Sequence, residues 1–461
     1  MKRIQLLVCA FVAMFMLSVN SAWAGSAYVK VTAENGTVSW IEIKGTIKGT
    51  NFEIGNSTYS SAIDKNTKGS IDLNEVWSLN GGKGIHYQVT SIGYWADAFY
   101  YCSGLTSIII PNSVTHIGTY AFEGCSGLTS IVIPNSVTYI GGGAFSFCSG
   151  LTSIVVESGN SYYDSRNNSN AIIETASNDL RRGCKNTMIP SSVTRIGSEA
   201  FCGCSGLTSV DIPSSVTCIG VSAFHNCSSL TSIVIPSSVT SIETGAFTGC
   251  SSLISINLPS SITSIQYQSF YNCSGLTSIV IPSSVTSIGE GAFSGCSGLT
   301  SITSYITEVF ETGRFAFSGC NNAVLYVPDG LVSTYRSTKD WNCINKIEEI
   351  PGIALAMSCN NKGKVQVNGS IEFTNDLGQV NVKDGVENTF AFQPNDNCEL
   401  RQVLIDGLDV TVSVENNQLT TKVHEGSKMI VMFDKTSSDV NGDGQVDISD
   451  VVRLVNIILG Q

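Results

Sequence analysis

Apolar positions in the middle of the chain recur in one fixed order: Ala-Phe-x-x-Cys, then Leu-x-x-Ile-x-Ile-Pro, then Val-Thr-x-Ile-Gly. Ser, Thr, Asn and Gly fill the gaps. The Ala-Phe pairs begin at Ala98, Ala121, Ala144, Ala200, Ala223, Ala246, Ala292 and Ala316, with Ser269-Phe270 as the variant. Starts lie 23 residues apart, except for a step of 56 after Ala144 and a final step of 24. The long step is one period plus a 33-residue insertion, so the register survives it. A fixed period of this length predicts a solenoid, in which no turn can bury its apolar side alone. Within one turn, Ile131 and Ile133 point inward with period two and Leu128 enters from the preceding bend. Pro134 ends the strand because it cannot donate to the ladder. Val137, Ile140 and then Phe145 fill the far side of the layer.

The pattern changes on both flanks. Residues 25–83 alternate apolar and polar positions in short runs such as Val38-Ser39-Trp40-Ile41-Glu42-Ile43, which predicts a β cap over the first layer. The solenoid is expected over 84–348, with the insertion at 157–187. From 351 to 434 the period vanishes and turn signals take over, among them Asn368-Gly369, Asp384-Gly385 and Asp406-Gly407. Strong strand runs (Thr389-Phe390-Ala391-Phe392, Met429–Phe433) make this an all-β sandwich-like spacer module.

Cysteine content would ordinarily point to a disulfide framework, since an apolar run ending in Ala22-Trp23-Ala24 predicts a cleaved export signal over 1–24. The spacing argues otherwise. Nine cysteines, Cys102, Cys125, Cys148, Cys204, Cys227, Cys250, Cys273, Cys296 and Cys320, share one repeat position. In a stack they form a column about 4.8 Å apart with parallel side chains, a separation wider than a disulfide prefers. They read as small buried hydrophobes. The net charge of −12 argues against nucleic acid as a partner. No later run is long and apolar enough for a membrane span. Neither a carboxylate pair nor a nucleophile–base set is legible, so the chain reads as a non-enzyme.

One motif carries explicit chemistry. Asp439, Asn441, Asp443, Asp447 and Asp450 fall at loop positions 1, 3, 5, 9 and 12, with Gly444 at the sharp turn and the Gln445 carbonyl between them. This spacing wraps oxygen donors around a hard cation and predicts Ca²⁺ as the cofactor. Val451, Leu454, Val455 and Ile458 mark an amphipathic helix after the loop.

The three repeat elements together resemble the BspA-like leucine-rich repeats of bacterial cell-surface proteins, over about 84–348, with 325–348 similar to that family's C-terminal cap. The 351–434 module is loosely similar to Ig-like or B-repeat spacers. The tail 435–461 resembles a single dockerin type I repeat. These resemblances imply a mainly β leucine-rich-repeat solenoid that is secreted or held at the cell surface. Its implied role is non-catalytic recognition or adhesion toward an extracellular protein or glycan. The alternative they imply is a dockerin-bearing scaffold or accessory subunit of a polysaccharide-degrading assembly, docking on a cohesin-like module. The expected ligand surface is the concave strand face, represented by Ser130, Val132, Asp211, Val234, Asn257 and Val280. Off-consensus positions are the other candidates: His116, Tyr139 and Arg195; Tyr100 and Tyr101; Tyr267 and Tyr271.

Overall fold

The computed structural model describes residues 23–435, apart from 56–60, 94–97, 329, 351 and short segments between 360 and 427. Most of the expected export segment and the whole calcium loop lie outside the described residues. Contacts divide the chain into two compact units between Glu349 and Ile350.

The first unit is a β solenoid. Each regular coil places its Ser-Ile-x-Ile segment in one parallel ladder, for example Ser255↔Ser278↔Ser301. Its x-Ile dipeptide enters a second ladder, for example Arg195↔Cys218↔Ser241. Val137 donates its N–H to the Pro134 carbonyl, and the Pro-x-x-Val turn between the ladders repeats in later coils. Proline therefore leaves the strand and organises the bend that follows it.

At the N-terminus five strands precede the coils: β1 (Trp23–Thr32), β2 (Val38–Lys48), β3 (Asn51–Ile54), β4 (Gly69–Leu79) and β5 (Lys83–Ile92). β1 pairs antiparallel with β2 and β4. β4 then runs parallel to Leu105–Ile109, and β5 parallel to His116–Ile117. Both ladders of the solenoid thus continue from this sheet, whose Val29, Ile43, Phe52 and Ile71 are fully buried.

Consensus residues stack coil on coil. Phe99, Phe122 and Phe145 lie parallel with centroids 5.1 and 5.2 Å apart. Phe201, Phe224, Phe247, Phe270, Phe293 and Phe317 form a longer stack at 5.1 to 5.5 Å. Offset rings at this spacing add attraction beyond their buried area. Trp341 ends the column, 5.0 Å from Phe317, and donates its indole N–H to the Phe310 carbonyl. The Tyr335 ring packs edge-on against it from the helix Val332–Ser337.

The cysteine column forms no disulfide among the described residues. Cys125 donates its S–H to the Phe99 carbonyl of the preceding coil at 3.0 Å, and Cys148, Cys227, Cys250, Cys273 and Cys296 repeat the contact at 3.0 to 3.1 Å. Burial raises the Cys125, Cys148, Cys227 and Cys250 thiols, with Cys148 and Cys250 pushed up to about 12. The consensus Ser before Val does similar work: Ser136, Ser215, Ser238 and Ser284 each donate a hydroxyl to a carbonyl of the coil before. Conspicuous polar positions of the repeat are therefore occupied in holding coils together.

The insertion adds a variant coil. Ala171–Glu174 and Asp179–Gly183 form an antiparallel pair, and the latter joins the second ladder through Leu180↔Ile196. Gly183 takes the Phe slot, donating to the Ala200 carbonyl as Phe201 does to that of Ala223. A side chain there would strike the Phe201 ring. Arg182 beside it is buried, donating to the Cys202 carbonyl at 3.0 Å, the Glu199 carbonyl at 3.3 Å and Cys204 Sγ at 3.5 Å. The apolar core accordingly divides into two clusters here, with Ile172 and Cys184 on one side and Ala171, Ile173 and Leu180 on the other.

The second unit has a five-stranded and a four-stranded sheet. Val365, Phe390, Phe392, Val403, Leu419 and Val431 are buried in it. The turn signals at 368–369 and 406–407 join paired strands. The signal at Asp384-Gly385 does not make the expected hairpin. Gly378–Lys383 pairs with Gly352–Cys359 in one sheet, whereas Glu387–Pro394 pairs with Gly363–Val367 in the other. The strands on either side of it belong to different sheets.

Candidate ligand surface

Three faces of the solenoid present side chains to solvent. On the first strand ladder, Ser130 and Val132 lie on Ser130–Ile133, paired with Ser153 and Val155. Val132 is 48% exposed and Val234 is 79% exposed. Asn257 faces Val280, which in turn faces Thr303. These positions alternate with the buried Ile column, as a two-residue period demands. The face is less continuous than the repeat implies. Ser130–Ile133 and Ser153–Val156 form a two-stranded sheet, and the later strands belong to a separate six-stranded one. Asp211 is exposed but lies in no strand, because its coil follows the insertion. Asn186 substitutes for a ladder residue there, its side-chain amide donating to the Thr152 carbonyl at 3.1 Å. Ser130 and Val132 therefore stand on a different sheet from Asn257 and Val280, and Val234 directly follows the strand Ser232–Ile233 of that second sheet.

The second ladder carries the variable positions His116, Tyr139 and Arg195 side by side with simpler residues. The His116 and Tyr139 rings stack at 4.3 Å, and burial lowers the imidazole pKa although Glu53 opposes it. Arg195 reaches Glu243 at 3.4 Å, and the Cys218 thiol also donates to that carboxylate. Burial and Glu243 together push Cys218 up to about 11. Arg195, Glu243 and Cys218 are tied to one another and form a polar brace, while His116 and Tyr139 pair on a separate sheet.

The third face is the turn around each Ala-Phe pair, where two backbone positions per coil adopt positive φ. One column runs Tyr101, Gly124, Phe147, Gly203, Asn226, Gly249, Asn272, Gly295. The other includes Tyr120, Gly143, Glu199, Ser222, Gly245, Gln268, Gly291 and Phe315. Up to Gly295 side chains and glycines alternate in the first column, with Gly319 following, and the spacing explains why. A Cβ at Gly124 would lie 2.8 Å from the Tyr101 ring, and one at Gly249 or Gly295 would lie 2.1 Å from Asn226 or Asn272 Oδ1. Each side chain lies over the glycine of the next coil. Gly203 accommodates Phe147 in the same way, and Gly143 accommodates Tyr120. Asn tolerates left-handed backbone readily, but a bulky aromatic there is strained by roughly 1–3 kcal/mol.

The sequence reading singled out Tyr101 but missed Tyr120 and Phe147. The signal was the glycine at the same repeat position in neighbouring coils, which marks a left-handed turn. Tyr267 is exposed and Tyr271 half-buried, both on this side of later coils. Tyr100 holds Lys65 4.9 Å from its ring centroid. Among the described residues no cluster of three or more His, Cys, Asp or Glu is arranged to hold a metal. Among the described residues, too, no helix is long and apolar enough to cross a membrane.

Comparison with known proteins agrees with this architecture. The repeat described as "BspA type Leucine rich repeat region" matches residues 84–179, 181–300 and 263–373, in six copies. A leucine-rich cell surface protein from Faecalibacterium prausnitzii is 33% identical, over 54% of this chain and 60% of its own, with a TM-score of 0.41. The chain therefore spans less than two thirds of that protein. Leucine-rich repeat proteins from Eubacterium ventriosum and Bacteroides ovatus are 21% and 23% identical. They match 65% and 71% of this chain and 90% and 98% of their own, with TM-scores of 0.42 and 0.33. No curated protein matches the chain. With the repeat matched over more than half its length, the chain belongs to the BspA-type leucine-rich repeat family.

Proposed function

We propose that this chain is a non-catalytic recognition protein of the cell exterior, binding an extracellular protein or glycan through the strand face of its solenoid. The observation that carries this reading is a series of exposed apolar side chains on that face: Ile109, Val132, Val155, Val234 and Val280. Coil stacking does not require them to be apolar, because they point away from the core. Exposed apolar groups gathered on one face mark interaction surfaces. β1–β5 and the 325–348 segment then serve as covers for the two ends of the stack, and 351–434 as a spacer. The test is binding of the full chain to an array of matrix proteins and glycans, repeated with Val234→Glu and Val280→Glu. Loss of the captured ligand with unchanged thermal unfolding supports the assignment; unchanged capture by both variants overturns it.

A second reading rests on the loop spacing at 439–450. Asp439, Asn441, Asp443, Asp447 and Asp450 with the Gln445 carbonyl supply the oxygen set that Ca²⁺ takes. Such a tail would make the protein an accessory subunit that docks on a cohesin-like module in an extracellular polysaccharide-degrading assembly. Calorimetry with Ca²⁺ on the full chain and on Asp439→Ala checks the ion site. An unchanged titration in the variant removes this reading.

A further inference from the structure

We infer that the aromatic end of the turn face is a second binding surface, a platform on which Tyr101, Tyr120 and Phe147 stack against the sugar rings of an uncharged polysaccharide. The surface is distinct from the strand face proposed above and does not depend on it.

The turn itself does not require these rings, although Tyr101 meets Tyr100 edge-on at 4.6 Å and Phe147 meets His225 edge-on at 6.0 Å. The same left-handed position is filled by Asn226 and Asn272 in later coils, where the amide lies over the following glycine just as Tyr101 and Phe147 do. Asparagine satisfies the turn with less strain. Three strained aromatics in three consecutive coils, at φ of 55° to 58°, are more than the turn needs and mark this end of the face for a ligand; Phe315 stands alone at the far end.

Their presentation identifies the ligand chemistry. Each ring is backed by glycine main chain, since a Cβ at Gly124, Gly143 or Gly203 would lie 2.3 to 2.8 Å from ring atoms. Tyr101 remains 46% exposed and Tyr120 39% exposed, so their faces away from the glycines are open to solvent, and Phe147 beyond them is half-buried. A protein hot spot would instead gather its aromatics in a desolvated pocket. Separate, flat, electron-rich faces suit the polarised C–H bonds on one side of a pyranose. The core phenylalanines of these coils step by 5.1 and 5.2 Å, which sets the scale of the separation between successive turns. Tyr101 and Phe147, two coils apart in one column, then meet separate sugars. The carboxylates of Glu123 and Glu199 stand near Tyr120, and the chain as a whole is at −12. This field disfavours anionic polysaccharides and selects neutral ones.

Affinity electrophoresis of the full chain through gels containing soluble mannan, xyloglucan or mixed-linkage β-glucan, with heparin as the anionic control, tests the inference. At least one neutral polymer should retard the protein. The double variant Tyr101→Asn/Phe147→Asn should weaken that interaction at least tenfold while keeping or raising the unfolding temperature. Should the double variant misfold, Tyr120→Gly, which relieves the backbone at its own position, should weaken binding by several-fold. Retardation by none of the neutral polymers overturns the platform and leaves the strand-face reading standing. So does stronger retardation by heparin, or unchanged binding in the turn variants alongside loss in Val234→Glu.

Discussion

Coils before and after the insertion share one backbone path and one core recipe, yet they spend their left-handed turn positions differently. The earlier coils place Tyr101, Tyr120 and Phe147 there; the later ones place Glu199, Ser222, Asn226, Gln268 and Asn272, with one aromatic, Phe315, in the last. Their ring stacks differ too, with three phenylalanines before the insertion and six followed by Trp341 after it. Since backbone and neighbours are alike, the difference separates what stacking requires from what it merely permits. Cys, Phe, Ile and the consensus Ser belong to the first class. The turn aromatics belong to the second, which is where a ligand can have left its mark.

The largest effect should come from alkali. Thiols whose folded pKa is raised are protonated and fully compatible with the stack below their ordinary value near 9. As pH climbs above 9 the unfolded chain releases these protons and the folded one holds them, so stability falls by about 1.4 kcal/mol per pH unit for each such thiol. Cys250 and Cys320 after the insertion are both pushed up to about 12, with Cys227 also raised by burial. Cys148 before the insertion is pushed up to about 12 as well, so both parts should lose unfolding temperature together between pH 9 and 11, followed by circular dichroism at stepped pH. An unfolding temperature that does not change across that range would show the column to be unburied.

Next in size is removal of a ring. Phe224 has partners on both sides, at 5.1 and 5.2 Å, whereas Phe145 stacks on Phe122 and meets the Gly183 coil beyond. Phe224→Ala should cost about 3–5 kcal/mol in urea unfolding, and Phe145→Ala about 1 kcal/mol less, since it forfeits one stacked partner. Equal losses would mean that the insertion does not interrupt the stack.

The smallest change reverses the comparison. Asn226→Tyr places a ring over Gly249, as Tyr101 lies over Gly124, and should cost about 1 kcal/mol through strain at its left-handed backbone. A stabilised Asn226→Tyr protein would mean that the aromatics are ordinary packing, and would remove the argument for a platform.

Much of the core was legible because repetition multiplies weak signals. The spacing of Leu128, Ile131 and Ile133 gave the buried column, and the parallel cysteines were correctly read as unpaired. Their donation to the Phe carbonyl of the preceding coil was not legible, since it depends on how far one coil is staggered against the next. Asp384-Gly385 told that the chain turns but not which sheet receives it. The strand face looked continuous because a repeat written as text has no sheet boundaries; the break at Asp211 comes from a neighbouring coil that departs from the consensus. Tyr120 and Phe147 escaped because variability along one column is visible only when glycine at the same position is recognised as a backbone requirement.

Arg182 has one further consequence. In a one-dimensional array each coil is coupled only to its neighbours, so cooperativity travels along the axis through the layers of stacked rings. At the variant coil that transmission passes through a guanidinium hydrogen-bonded to carbonyls and a sulfur, beside a glycine where a ring would otherwise stand. Polar contacts of this kind tolerate rearrangement of partners better than interlocked rings do. The two apolar clusters of the solenoid thus meet across polar contacts and not across a continuous ring stack.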